Sequence, residues 1–202
     1  MNNYKIGDDF RKLCNFLEQG TSVPYPRVYF TEDELIDIKH ITDSRYKAIQ
    51  ALMRTTVRED LLTGNPLGAN LEDHHIFPYS LNKSGVSKHR LNSIVNRIIV
   101  SQETNRMISN LNPDKYLADL VKHHISEGNT GELDRRLANC FIPYLSSDPE
   151  FIHRFSKDNF DGFLTDRANM ILKRIRDVVG AAWQASPASE EKNLEDDEFV
   201  AS

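Results

Sequence analysis

The stretch Leu71-Glu72-Asp73-His74-His75-Ile76-Phe77-Pro78, followed about twenty residues later by Asn96-Arg97-Ile98-Ile99-Val100-Ser101, decides the fold. The first piece is short, extended and closed by a proline; the second is a β-branched run, so the two are expected to pair as strands. Asn82-Lys83-Ser84-Gly85 and the polar residues up to Ser93 make the connection longer than a tight hairpin. Ser101 is placed to cap a helix that opens Gln102-Glu103-Thr104-Asn105 and runs to about Asn110. The local order is therefore strand, loop, strand, helix, over about 71–111.

Outward from this unit the chain reads as helix. Before it, Phe10, Leu13, Cys14 and Leu17 are spaced for a helix over about 8–17, Thr31 and Glu34 form a capping box for a helix through Ile38, and a third helix spans about Ser44 to Met53. After it, Pro113 opens a helix carrying Tyr116, Leu117, Leu120, Val121 and His124 on one side. Leu133, Leu137, Ile142 and Tyr144 predict a further helical segment interrupted at Pro143, and Phe163, Leu164, Ile171, Leu172, Ile175 and Val178 predict a long one over about 160–182. The fold class is α+β, mostly α: a helical body enclosing one small strand-loop-strand-helix insert, expected as a single domain over 1–185.

The chain has 202 residues and a formal net charge of −5. From Ser186 onward six carboxylates face the single Lys192, a local sum of −5, so the remaining body is formally neutral. Residues 186–202 have the composition of an acidic disordered tail. No apolar stretch approaches the roughly 20 residues that span a bilayer, and the N-terminus has no signal-peptide pattern, so a cytoplasmic address without membrane contact is expected. Cys14 and Cys140 lie too far apart for a CxxC site and read as small core hydrophobes.

Chemistry concentrates on the strand unit. His74 and His75 would point to opposite faces of a regular strand, but a twisted strand end relaxes that rule. His75 suits a general base, because imidazole titrates near neutrality. His74 suits a metal ligand, and Asn105, in the first turn of the following helix, offers its carbonyl oxygen as a second. Two protein ligands leave room for a phosphate oxygen on the ion. Asn96 can hydrogen-bond across the loop and hold the His75 segment, and is grouped with His75 in the catalytic set. Arg97 and Arg106 are suited to gripping phosphate, and with Lys83, Lys88 and Arg90 they make the segment locally basic, Glu103 being the one acid between Lys83 and Arg106. Asp73 is a candidate for fixing a histidine tautomer, with a solvated strand-end carboxylate as the plainer reading. Among the other histidines, His89 is placed to touch phosphate from the basic loop, His40 and His153 have no evident partners, and His123-His124 reads as one exposed and one partly buried ring in a helix. Phe160, Phe163 and Trp183 read as packing.

The segments DHHIFPYS (from Asp73), NSIVNRIIVS (from Asn92) and TNRMISNLNPDKYL (from Thr104) resemble the signature of the HNH, or ββα-metal, endonucleases. They look specifically like the C-terminal nuclease module of GmrSD-like, modification-dependent (type IV) restriction proteins, and their spacing also resembles that of the HNH domain of RNA-guided CRISPR nucleases. The match is close over about 45 residues and looser over about three quarters of the chain. Carried over, the resemblance implies a DNA endonuclease acting in defence against foreign or modified DNA, with His75 as base, His74 and Asn105 as ligands of a divalent ion, and Asn96 as the loop-holding residue. Mg²⁺ is favoured over Mn²⁺ and Zn²⁺. Many HNH sites carry an aspartate where His74 stands; the double-histidine form occurs among colicin-type nucleases. Type IV proteins also carry a nucleotide-hydrolysing or DNA-sensing domain, for which no Gly-rich phosphate loop is found here, so a separate domain or subunit would supply it. The alternative reading is a non-catalytic DNA- or partner-binding subunit that keeps the scaffold for packing; an enzyme acting on RNA is a third.

Overall fold

A computed structural model describes residues 30–179, so the early helix expected over 8–17, Cys14, Trp183 and the acidic tail lie outside the described residues. Within these, Phe30–Val178 gather into one compact unit. It is mostly helical, with one two-stranded sheet, and so is α+β.

The unit opens with α1 (Glu32–Ile36), whose capping box forms in full: the Thr31 side chain accepts from the Glu34 amide while the Glu34 carboxylate takes the Thr31 N–H. Helix α2 follows (Ser44–Thr56), three residues longer than its pattern implied. Strand β1 (Leu71–His75) then pairs antiparallel with β2 (Arg97–Ser101), placing His74 opposite Ile98 and His75 opposite Arg97. The long connection is ordered by two 3₁₀ turns, Tyr79–Ser84 and Ile94–Asn96, around the four-residue helix α3 (Lys88–Leu91). Gly85 closes the first turn at φ 89°, a conformation that favours glycine. Ser101 caps α4 (Gln102–Ile108), its side chain accepting from the Thr104 amide.

Helix α5 (Pro113–Glu127) and α6 (Thr130–Asn139) follow. One expectation fails beyond α6. Ile142 and Tyr144 do not continue a helix: Cys140 ends α6, Phe141 takes a left-handed φ of 59°, and the chain runs irregularly to α7 (Phe151–Arg154). Two apolar residues either side of Pro143 match helical spacing, but the proline and the turn before it remove the hydrogen bonds a helix needs there. Helix α8 (Phe160–Val179) closes the unit.

Ile98, Ile99 and Val100 are all buried, because β2 is covered on both faces. Phe77, just past β1, packs with tilted rings 4.8 and 5.0 Å centre to centre from Phe160 and Phe163 of α8, tying the end of β1 to the core. The core also holds Arg167, 1% exposed, on the same stripe of α8 as Phe163 and Ile171. Its guanidinium donates to the carbonyls of Cys140 and Val95 with no carboxylate partner, and burial lowers its pKa to about 10. Val95 precedes Asn96, so this buried cation pins the turn that leads into β2. His124 is buried and His123 exposed; His124 Nε2 meets Arg136, which also donates to the Leu61 and Leu62 carbonyls. Burial pushes the Cys140 thiol up to about 12, so it packs as an inert apolar group. Among the described residues, no helix is long and apolar enough to cross a membrane.

Candidate active site

Strand β1 and helix α4 meet at the His74 ring. Its Nδ1 lies 2.6 Å from Asn105 Oδ1. An amide oxygen only accepts, so in this arrangement Nδ1 carries the hydrogen and Nε2 the lone pair. That Nε2 is buried and has no hydrogen-bond partner. Burial first, and the nearby Arg97 charge next, lower the His74 pKa against the opposing bond to Asn105, which keeps the ring neutral.

His75, the last residue of β1, is half-buried. Its Nε2 lies 3.1 Å from Asn92 Oδ1, so by the same argument Nε2 is the protonated nitrogen and Nδ1 holds the free lone pair. Burial, reinforced by Arg97, drives its pKa down to about 4, and the ring is unprotonated at neutral pH. Arg97, its cross-strand partner, donates to the Asp73 carbonyl at 3.3 Å and keeps a buried Nε without a partner.

Asn96 is fully buried and straps the long connection closed. Its Oδ1 accepts from the Phe77 amide at 2.9 Å, and its Nδ2 donates to the Phe77 carbonyl at 3.0 Å and the Leu91 carbonyl at 2.8 Å. The Asn96 carbonyl also accepts from the Ile76 amide at 2.9 Å. These bonds fix the chain immediately after His75 from its other end, nineteen residues away. Asn96 thus occupies the loop-holding place its spacing suggested. With its amide spent on Phe77 and Leu91, it is a positioning residue and no longer belongs in a catalytic set.

Three sequence expectations are corrected by the geometry. The Asp73 carboxylate turns to α2, accepting from the Tyr46 hydroxyl and from Gln50 Nε2 at 3.4 Å, and not to a histidine ring. It alternates away from His74 as strand geometry requires. Arg90 is paired with Asp161 at 2.8 Å, which takes it out of the free cations of the loop. His89 sits between Lys39 and Asp37, 2.7 Å from the Asp37 carboxylate, so it is bound within the unit and is not a phosphate contact. Lys83, Lys88 and Arg106 are exposed.

Two positioning residues were not anticipated. Asn92 is one; its loop position gave no hint of a partner seventeen residues back. Asp60 is the other, 1% exposed beneath the start of α4. Its Oδ2 accepts from the Ser101 amide at 2.8 Å, and its Oδ1 from Thr104 Oγ1 at 2.6 Å and the Leu62 and Thr63 amides at 3.0 and 3.1 Å. Burial alone would raise its pKa, but the bonds from Thr104, Ser101 and Thr63 outweigh burial and hold it below the ordinary 3.8. Asp60 therefore anchors the helix turn that presents Asn105.

The donor set can be tested against a divalent ion. Neighbouring ligands on a six-coordinate ion with bonds of about 2.1 Å lie roughly 3.0 Å apart. The 2.6 Å separation of His74 Nδ1 and Asn105 Oδ1 needs to open by only a few tenths of an ångström once an ion replaces the shared hydrogen. Ligation at Nδ1 requires the neutral ring, which burial already favours, with its hydrogen moved from Nδ1 to Nε2. Nitrogen and amide oxygen fit Mg²⁺, Mn²⁺ or Zn²⁺ with most positions left for water and substrate. Among the described residues, no group of three or more His, Cys, Asp or Glu gathers to hold a metal, so no closed structural zinc site is built there.

Replacing Asn92 by Leu keeps the bulk and removes the acceptor for Nε2–H. If the chain cuts DNA as the sequence resemblance implies, the expected result is a kcat lower by about 10- to 100-fold, the usual effect of losing a side chain that orients a histidine, with KM little changed in steady-state oligonucleotide assays.

The chain is similar, at 25% identity over 194 residues, to an uncharacterized protein of Methanocaldococcus jannaschii; the alignment covers 87% of this chain. The chain spans about a third of the length of that relative. No family model matches it. No solved structure matches it significantly.

Proposed function

We propose that this unit is an HNH-type, ββα-metal endonuclease that hydrolyses phosphodiester bonds in DNA, acting in restriction of foreign or modified DNA. The observation that carries the reading is the convergence of His74 Nδ1 and Asn105 Oδ1 to 2.6 Å from two different elements, with His75 next in the chain. His74 and Asn105 would hold the ion, which when bound supplies Lewis-acid stabilisation of charge on the phosphate.

The chain's own residues account for the rest. His75 Nδ1 takes a proton from the attacking water as a new phosphorus–oxygen bond forms and the one to the leaving oxygen breaks, that oxygen taking its proton from solvent, while Asn92 holds Nε2–H and so sets the orientation of the ring. A pKa near 4 gives a ready but weak base. A phosphodiester brought alongside adds negative charge and raises that value toward the range where a base works best. Arg97 stands next to both rings with unspent donors and suits the scissile phosphate; Arg106, Lys83 and Lys88 suit its neighbours. Asn96 and Asp60 keep the two halves of the site at fixed separation. Sensing of modified DNA or nucleotide hydrolysis would lie in a separate domain or subunit.

Supercoiled plasmid incubated with the protein tests this directly. Nicked or linear product is expected with Mg²⁺ or Mn²⁺ and none with EDTA. Intact plasmid under every divalent ion would leave the binding-subunit reading in its place.

A further inference from the structure

Tyr79 is the large apolar side chain left open beside the candidate base. It is 43% exposed, its ring centroid is 6.1 Å from that of His75, and the two planes are tilted by 42°, so His75 does not lie flat over the Tyr79 ring and much of that side chain is open to solvent. Its hydroxyl makes no hydrogen bond among the described residues, so no polar contact explains its placement. The backbone under it is rigid. Pro78 before it is buried, Phe77 is clamped at both its N–H and C=O by Asn96, and the 3₁₀ turn that Tyr79 begins is closed by Gly85. The same turn carries the exposed cation Lys83. An exposed aromatic on a fixed turn, its ring centre about one nucleotide step from the centre of the imidazole that would activate water, is suited to act as a stacking platform with a cation nearby.

Building on the nuclease reading, we infer that Tyr79 stacks on the nucleobase flanking the scissile phosphate, and that the preferred substrate is DNA in which this base is unpaired. A base within a duplex is already stacked on both faces; only an unpaired or extruded one can give a face to the ring. Because every base has such a face, the contact selects strand state and not sequence.

The test uses the full chain in EDTA, where binding is separated from cleavage. Single-stranded oligothymidylate carrying 5-iodouracil at successive positions is irradiated with the protein, beside the same strand annealed to its complement. The expected adduct maps to Tyr79 by peptide mass spectrometry and is several-fold stronger for the single strand. In Mg²⁺, Tyr79→Ala should raise KM for the single strand roughly 5- to 100-fold, the range found for losing one stacked base, with kcat within about threefold. Tyr79→Phe and Tyr79→Trp should behave as the parent, since the ring face and not the hydroxyl acts. Cleavage that proceeds normally with Tyr79→Ala, or adducts that map elsewhere, overturns the inference and leaves the nuclease reading standing. A protein that binds neither form of DNA removes both.

Discussion

His75→Ala should leave supercoiled plasmid essentially uncut in Mg²⁺, with the rate down by about 10²- to 10⁴-fold, the span expected when a positioned general base is removed. The same protein should retain its far-ultraviolet circular dichroism and its affinity for DNA in EDTA. The reasoning is local. His75 is half-buried at the end of β1, its Nε2 bonds Asn92 and its ring lies beside the exposed Tyr79, so truncation to Ala removes one hydrogen bond and one ring contact at the rim of the site. The strap on the following residues survives, because it runs through Asn96 to the main chain of Phe77 and to Ile76, not through the imidazole. Wild-type rates from His75→Ala would remove this residue from the chemistry. Lost rate together with a lost fold would show that the ring is needed for the loop.

The largest effect on stability is expected from Asp60→Ala, on the order of 4 kcal/mol by urea unfolding, because four donors lose a buried acceptor at once and each orphaned group costs about 1–3 kcal/mol before relaxation. The Ser101 and Thr104 groups among them sit at the first turn of α4, so Asn105 should lose its position as well and Mn²⁺ affinity should fall alongside stability. A pH signature accompanies this. The Asp60 carboxyl is held below its ordinary value when folded, so its contribution is complete above the unfolded value of 3.8 and drains away as pH falls through the lower folded one. Thermal melts of the parent protein should therefore weaken in that acid window, and Asp60→Ala should show a shallower dependence there. His75 acts in a separate window. Its pKa of about 4 when folded means that protons favour the unfolded chain as pH drops from 6.5 toward 4, so stability declines there first. The Asp60 substitution should leave that earlier decline in place.

Much of the candidate site is legible in the sequence itself. His74, Asn96 and Asn105 stand where their spacing placed them, because strand pairing and a capped helix are set by neighbours a few residues away. The basic loop was read less well. A cation count treats Lys83, Lys88 and Arg90 alike, whereas Arg90 meets Asp161 of α8 across seventy-one positions and is spent there. Asp73 was misread for a related reason: its neighbour His74 is adjacent in sequence, yet the pleat turns the two to opposite sides and gives Asp73 to Tyr46. Arg167 carries no sequence signal of its partner. It falls on the 163, 167, 171 stripe of α8, so helical spacing alone sends it inward, but nothing local says that the Val95 carbonyl waits there.

What the chain alone determined is short-range: the longer helices, the caps at Thr31 and Ser101, the two strands and the fact that they pair, and which polar residues lie on them. Tertiary structure alone decided which of those groups are free and which are spent. Asp60 reaches Ser101 over 41 residues and Arg167 reaches Val95 over 72, and a polar group brought into the core takes whichever partner packing sets before it. Periodicity reports the face a side chain takes, while the partner on that face depends on how distant elements dock.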